Sequence, residues 1–284
     1  MRPRRSVLYL PGANERALAK ARTLPADALV LDLEDAVAPE AKPAARERVA
    51  AAVTSGDYGT REVGIRVNAP GTEWHDEDLR AAARANPDAV VVPKVNSADD
   101  VRAVDRALDL AGADGGTAIW AMIETPTGVL RAGEIATASE RLTALVLGTN
   151  DLAKELGAAS VPGRAPLLGA LSSCVLAARA AGRTVLDGVY NDVRDAEGFE
   201  AECGQARQFG FDGKTLIHPG QIEICNRVFA PSDEEIAHAR AVIEAFEHAA
   251  AEGRGVVTVN GSMIENLHVE QARRTLTLAD TPTP

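Results

Sequence analysis

The chain has little of what marks several common protein classes. Of its 284 residues only three are cysteine, and Cys174, Cys203 and Cys225 show no CxxC or His-paired spacing. That excludes a disulfide scaffold and a thiolate zinc site, and an odd, scattered set of free thiols fits a reducing, cytoplasmic setting. No apolar run approaches the roughly 18 residues a membrane span needs. The first residues, MRPRRSVLYLPG, are basic, but their apolar part is too short for a signal peptide and reads as a strand. Neither GxGxxG nor GxxxxGK[ST] follows any predicted strand, so a phosphate loop is missing. Positive charge is in deficit too. The net charge of −11 excludes a general nucleic-acid surface but not a small anionic substrate held by local basic groups. There is no internal repeat.

What is present is a rhythm. Short Val/Leu/Ile-rich runs alternate with helical patterns, and the predicted strands are 6–10, 28–35, 62–68, 89–95, 118–125, 142–151, 184–190 and 213–219. Near-continuous apolar strands are what sheets covered on both faces require. Helix signals fall between them. Asn14 is an N-cap candidate, Pro39 stands near a helix start, and the segment from Ser97 to Gly112 has cap residues at both ends. Eight such units within about 220 residues predict an α/β fold, a (β/α)8 TIM barrel, rather than an open doubly wound sheet. The barrel is expected over 1–230. The remainder, 231–284, drops the rhythm: a helix over 233–253, and then, within 256–276, a short strand, a turn at Asn260-Gly261 and a final helix. This C-terminal helical and hairpin extension is expected to contact its own barrel or a neighbouring subunit, and the last residues are expected to be disordered.

In a barrel of this kind the site lies where the strands end. The stretch AIWAMIETPTG, 118–128, ends a strand at Glu124 and turns through Thr125, Pro126 and Thr127 into a helix. A carboxylate at that mouth can hold a hard cation, and the helix N–H groups can bind an anion. The other ends contribute Asp32, Glu34 and Asp35; Arg66 and Asn68; Lys94; Asn150 and Asp151; Asp187 and Asn191; and His218. So many carboxylates repel one another unless a cation sits among them, and an oxygen-rich donor set favours Mg2+, with Mn2+ as substitute, over zinc. Bland roles stand beside these. Arg66 could pair with Asp32 or Glu34, Lys94 could merely neutralise the carboxylates, and Glu34 and Asp35 could orient the ion's waters or cap a helix. His218 reads as a turn residue, Trp120 and Met122 as barrel packing, and His75, His238, His248 and His268 as surface groups.

The motifs LDLEDAV (31–37), IRVN (65–68), VPKV (92–95), IETPTG (123–128), LGTNDL (147–152) and NGSMIE (260–265), with the opening RSVLYLPGANERALAKA, resemble the citrate lyase beta-subunit-like enzymes. These include the malyl-CoA and citramalyl-CoA lyases of the HpcH/HpaI aldolase superfamily, and the resemblance spans nearly the whole chain. It implies a (β/α)8 barrel with Mg2+ on Glu124 and Asp151, and Arg66 on a substrate carboxylate or carbonyl oxygen. It also implies a homotrimer or hexamer in which the C-terminal segment, here through Glu265, delivers a catalytic carboxylate to a neighbour. Two departures are visible. The pyruvate-aldolase branch has a His after strand two where this chain has Glu34 and Asp35, and the malyl- and citramalyl-CoA enzymes have Asp where this chain has Glu265.

The function expected first is a Mg2+-dependent C–C lyase that cleaves a short 3-hydroxyacyl-CoA of malyl-CoA or citramalyl-CoA type to acetyl-CoA and a 2-oxo acid. Arg66 would add fixed charge with fork geometry, and Glu265 would move the enolate proton. A thioesterase of malyl-CoA type is the alternative, with the same carboxylate activating water. A beta component of a multi-subunit citrate lyase is the third. Arg16 and Lys20, basic residues after the first strand, are candidates for the CoA phosphates.

Overall fold

The computed structural model describes residues 2–251 and 256–280. Eight parallel strands close into a barrel in chain order, β8 pairing back onto β1. They are β1 (Ser6–Pro11), β2 (Ala28–Asp32), β3 (Glu62–Arg66), β4 (Ala89–Val92), β5 (Ala118–Ile123), β6 (Leu142–Leu147), β7 (Thr184–Asp187) and β8 (Gly213–Leu216). Around them run α1 (Glu15–Ala21), α2 (Lys42–Ser55), α3 (His75–Ala85), α4 (Ala98–Leu110), α5 (Pro126–Leu130), α6 (Ala132–Ala136), α7 (Thr149–Leu156), α8 (Leu168–Ala180), α9 (Ala196–Phe209) and α10 (Ile222–Phe229). The (β/α)8 expectation holds.

Each strand alternates between two cores, as a side-chain period of two requires. Val7, Val30, Val91, Trp120, Met122, Val146 and Leu186 point into the barrel, while Leu8, Leu31, Ile65, Ile123 and Leu145 face the helices. Trp120 is fully buried beside Ala28, Ala89 and Ala144, whose small side chains leave room for the indole. Burying such a side chain contributes about 2–3 kcal/mol. Continuing the same parity to the strand ends puts Asp32, Arg66 and Glu124 inside the barrel mouth. In β2 and β3, Asp32 and Arg66 are register partners.

The caps follow the sequence. Asn14 accepts the Ala17 N–H, and Ser97 and Asp100 form a capping box at the start of α4. Strands β2 to β8 each end two to four residues before the sequence reading places their ends, and three departures from that reading bear on the site. Strand β2 stops at Asp32, because its carboxylate accepts the N–H groups of Glu34 (2.9 Å) and Ala36 (3.0 Å) and turns the chain. The single helix expected after β5 is split at Arg131, whose backbone leaves the helical region between two glycine-containing turns. Asn150 and Asp151 lie in the first turn of α7 rather than at the end of β6.

Beyond the barrel, α11 (Asp233–Ala251), the hairpin β9 (Val257–Val259) and β10 (Ser262–Ile264), and α12 (Asn266–Ala279) build an apolar cluster of their own around Val242, Val259, Ile264 and Val269. Asn260 and Gly261 both have positive φ, as a two-residue hairpin turn demands. Arg274 of α12 donates to Asp212 at 2.5 Å, just before β8 begins, so α12 lies across the N-terminal end of the barrel. Of the last six residues, 279–284, expected to be disordered, Ala279 ends α12 and Asp280 is its C-cap, and 281–284 lie outside the described residues. Among the described residues no helix is long and apolar enough to cross a membrane.

Candidate active site

The C-terminal strand ends enclose a cavity of about 330 Å3. Four carboxylates line it, those of Asp32, Asp35, Glu124 and Asp151, against the single guanidinium of Arg66. Glu34 and Lys94 stand immediately behind, joined by a 3.0 Å bond.

Arg66 is held on every side. Its Nε and Nη2 donate to the two oxygens of Asp32 at 2.6 and 2.7 Å, and Nη1 faces Glu34 at 3.1 Å and Asp35 at 3.3 Å. The ring of Tyr9 stacks on the guanidinium, 4.8 Å from ring centre to Cζ. A guanidinium has five N–H donors, so one N–H of Nη2 remains for a ligand. Both roles foreseen for Arg66 are therefore compatible: it is the salt-bridge partner of Asp32 and Glu34, and it still faces the cavity. Burial pushes the Glu34 carboxyl up, against the pull of Arg66.

Glu124 follows the last residue of β5 and is buried. Burial, reinforced by the negative charge of Glu34, pushes its carboxyl up to about 7. Its Oε1 accepts the Lys94 N–H at 2.7 Å, and Lys94 takes a left-handed backbone (φ 53°) to aim that N–H inward. The other oxygen lies over Gly148, where a Cβ would stand 2.2 Å from Oε2 and 2.4 Å from the Glu124 Cβ. Gly148 is therefore a cradle, and the carboxylate of Glu124 can exist in this position only because that residue has no side chain. Asp151 reaches the same cavity from the first turn of α7, where the helix dipole favours a carboxylate.

Among the described residues no group of three or more His, Cys, Asp or Glu side chains forms a ready metal cage. Two carboxylates still suit a hard divalent ion that keeps several waters or takes substrate oxygens, as Mg2+ does. The buried, raised Glu124, cradled over Gly148 and bonded among the described residues through Oε1, fits that donor set.

A profile of the HpcH/HpaI aldolase/citrate lyase family matches residues 5–219. The chain belongs to that family. A (3S)-malyl-CoA thioesterase of Cereibacter sphaeroides is 52% identical over 279 residues, 98% of this chain and 95% of the relative. The citrate lyase subunit beta of Escherichia coli is 42% identical over 284 residues, covering 98% and 94% of the two chains. Among solved structures, CitE of Mycobacterium tuberculosis in complex with magnesium, acetoacetate and coenzyme A superposes with a TM-score of 0.78 at 32% identity, covering 98% of each chain.

Several residues singled out in the sequence are not brought to the family's barrel mouth. Asp187 is turned outward by strand parity and buried against Lys214 (2.7 Å) and Arg164 (2.8 Å). Asn68 is a structural hub: it donates to Asp78 and to the Leu33 carbonyl, and it accepts from Lys42 at 2.6 Å. His75 is no surface group, since it is buried with Nδ1 2.7 Å from the Asn68 carbonyl. His218 caps a short turn and accepts the Gly220 N–H, as expected. Arg16 and Lys20 are exposed on α1 and do not line the cavity. Glu265 does not line it either. It is the N-cap of α12, and its N–H donates to His268.

Sequence reading passed over Tyr9 and Lys42. Tyr9 shares the inward parity of Val7, the available signal. Lys42 gives no such signal. It is buried at the start of α2 and donates to the Leu33 and Glu34 carbonyls (2.9 and 2.8 Å), tying down the turn that carries Glu34 and Asp35.

Proposed function

We propose that this chain hydrolyses the thioester of a short 3-hydroxyacyl-CoA of malyl-CoA type, with Mg2+ held by Glu124 and Asp151. The observation that carries this reading is the 52% identity, over nearly the whole of both chains, to a relative named (3S)-malyl-CoA thioesterase, against 42% to a citrate lyase beta subunit. It moves hydrolysis ahead of C–C cleavage. The magnesium, acetoacetate and coenzyme A held by CitE of Mycobacterium tuberculosis support the cofactor and the ligand class.

The bound ion would supply Lewis-acid polarisation of substrate oxygens. Arg66, fixed by Asp32 and stacked on Tyr9, orients a substrate carboxylate through its remaining N–H. Glu34 and Lys94 hold Arg66 and the Glu124 carboxylate in place from behind. Glu265 is the general base in this proposal. It takes a proton from water as the water oxygen bonds to the thioester carbon, and gives that proton to the sulfur as the carbon–sulfur bond breaks, so CoA leaves as its thiol and the free 3-hydroxy acid remains. Glu265 does not line the cavity of its own chain, and Met263 and Leu267 on either side of it are exposed. Both facts favour delivery of Glu265 to a neighbouring copy, in a homotrimer or hexamer. Cleavage to acetyl-CoA and a 2-oxo acid is the second reading, favoured by membership of a lyase family.

One assay separates the two. The protein and Mg2+ are incubated with malyl-CoA, and free thiol and 2-oxo acid are measured together. Thiol without oxo acid is the expected result, abolished in Glu265→Gln. Oxo acid without thiol would replace the hydrolase by the lyase.

A further inference from the structure

Behind the cavity wall lies a buried charge cluster with no role in the proposed chemistry. Asp187 and Lys214 are wholly buried, and Arg164 nearly so. Arg164 Nη1 donates to both oxygens of Asp187 at 2.8 and 2.9 Å, while Nε and Nη2 donate to Gln205 Oε1 at 3.0 and 2.8 Å. Lys214 Nζ donates to Asp187 and to Glu202, both at 2.7 Å, and Glu202 faces Arg164 at 3.3 Å. Two cations and two carboxylates balance, and each of the three guanidinium nitrogens has a partner.

The placement of Arg164 is unusual. It belongs to the segment that leaves α7 and enters α8, and from Ala158 to Pro166 it is the one buried residue. Gly163 and Arg164 both have positive φ, 74° and 55°, which a non-glycine residue adopts only under constraint. Gln205 closes the grip by donating to the Gly163 carbonyl at 2.8 Å.

On the far side, Asp187 is the last residue of β7 and leads straight into the cavity rim. Its carbonyl accepts the hydroxyl of Thr215, which lines the cavity. At Gly188 a Cβ would stand 2.3 Å from the Thr149 hydroxyl, so the first turn of α7 lies directly on that strand end. Asn191 exchanges two side-chain bonds with Asn150 at 2.8 and 3.1 Å, next to Asp151. Helix α7 is thus tied to the end of β7 in front, through Thr149 and Asn150, and behind, through Arg164.

We propose that Arg164 is a positioning residue that fixes Asp151 for metal binding by clamping the exit of α7 to Asp187, with Lys214 and Gln205 holding the two halves of the clamp. The proposal rests on Asp151 being a metal ligand. The ligand is set at the front of α7 and the helix is anchored from its back, so loosening Arg164 weakens metal affinity rather than the chemical step.

The test is direct titration of Mn2+, followed by its paramagnetic signal, on the intact protein and on Arg164→Met, Gln205→Met and Asp151→Asn, with thermal melts and kcat at saturating Mn2+. Arg164→Met is expected to raise the Mn2+ Kd about tenfold, the usual effect of removing an outer support. Its kcat at saturating metal is expected to fall less than about threefold, and Gln205→Met to give a smaller rise in Kd. An unchanged Kd in a folded Arg164→Met overturns the clamp, and so does a fall in kcat without a change in Kd. Should Arg164→Met not fold, Gln205→Met decides alone, an unchanged Kd overturning the proposal. Equal Mn2+ binding by Asp151→Asn and the parent protein would overturn the metal reading itself, and the clamp with it.

Discussion

The two ends of the barrel are built from the same residue types in different proportions. At the N-terminal end Arg2, Arg4 and Arg5 each meet one carboxylate, those of Asp88, Glu62 and Asp27. Arg4 uses Nε and Nη2 on Glu62, gives Nη1 to Thr184 and lies over the Trp120 ring, closing the barrel floor. At the C-terminal end the five carboxylates of Asp32, Glu34, Asp35, Glu124 and Asp151 gather around the two cations Arg66 and Lys94, with a third, Lys42, under the turn that carries Glu34 and Asp35. One end is neutralised pair by pair and serves as a plug. The other keeps an excess of negative charge, of which the Asp32, Glu34 and Glu124 carboxylates are buried, and such a surplus of one sign persists where a ligand of the other sign completes it.

The comparison can be broken at either end. Arg4→Met leaves Glu62 buried without its partner, so stability should fall by about 3 kcal/mol in urea melts while kcat stays at the parent value. A loss of activity at unchanged stability would mean that the floor takes part in function. Gly148→Ala should do the reverse. The new Cβ displaces Glu124, and turnover is expected to drop about a hundredfold, as misplacement of a reacting group by about 1 Å does. Parent-like turnover would show that Glu124 need not stand where the structure has it.

A smaller effect sharpens the electrostatic side. Glu124 titrates near 7 when folded, against an ordinary 4.5, so between those values the folded protein binds the extra proton. Metal-free stability should therefore fall as pH rises from 4.5 to 7 and then level off. Glu124→Gln should remove this slope and be more stable than the parent by about 3 kcal/mol above the upper value, with no difference below the lower one. Parallel pH profiles for the two proteins would remove Glu124 as the source. The smallest effect concerns Lys94. Lys94→Gly keeps the N–H to Glu124 without left-handed strain, so it should exceed Lys94→Ala in stability by about 1 kcal/mol. Turnover should fall by the same few-fold factor in both, since each loses the ammonium that faces Glu34.

How far the site was legible follows from the geometry of its parts. Asp32, Arg66 and Glu124 sit on or beside strands, where a period of two read from Val30, Gly64 and Met122 puts them in the mouth. The same parity read from Leu186 turns Asp187 away, a step that the list of strand ends alone does not take. Asp151 was listed as the end of a strand, and its metal role came from the motif; strand parity says nothing of its direction, because it belongs to a helical turn. His75, Asn68 and Lys42 were misread or passed over because their partners lie 7 to 35 residues away, and no local pattern encodes those meetings. Glu265 shows the limit most plainly, since its place relative to the cavity depends on how the tail packs.

The sequence by itself determined the eight-fold alternation of strand and helix, the caps, the two-residue hairpin turn and the polar character of the strand ends, because those follow from local propensity and from side-chain periods of two and 3.6. Tertiary structure alone decided which charges balance and which remain in excess, that Gly148 makes room for Glu124, and that α12 lies across the opposite end of the barrel from the cavity. Those outcomes depend on closing a sheet between residues far apart in the chain. Burial and charge pairing exist only after that closure.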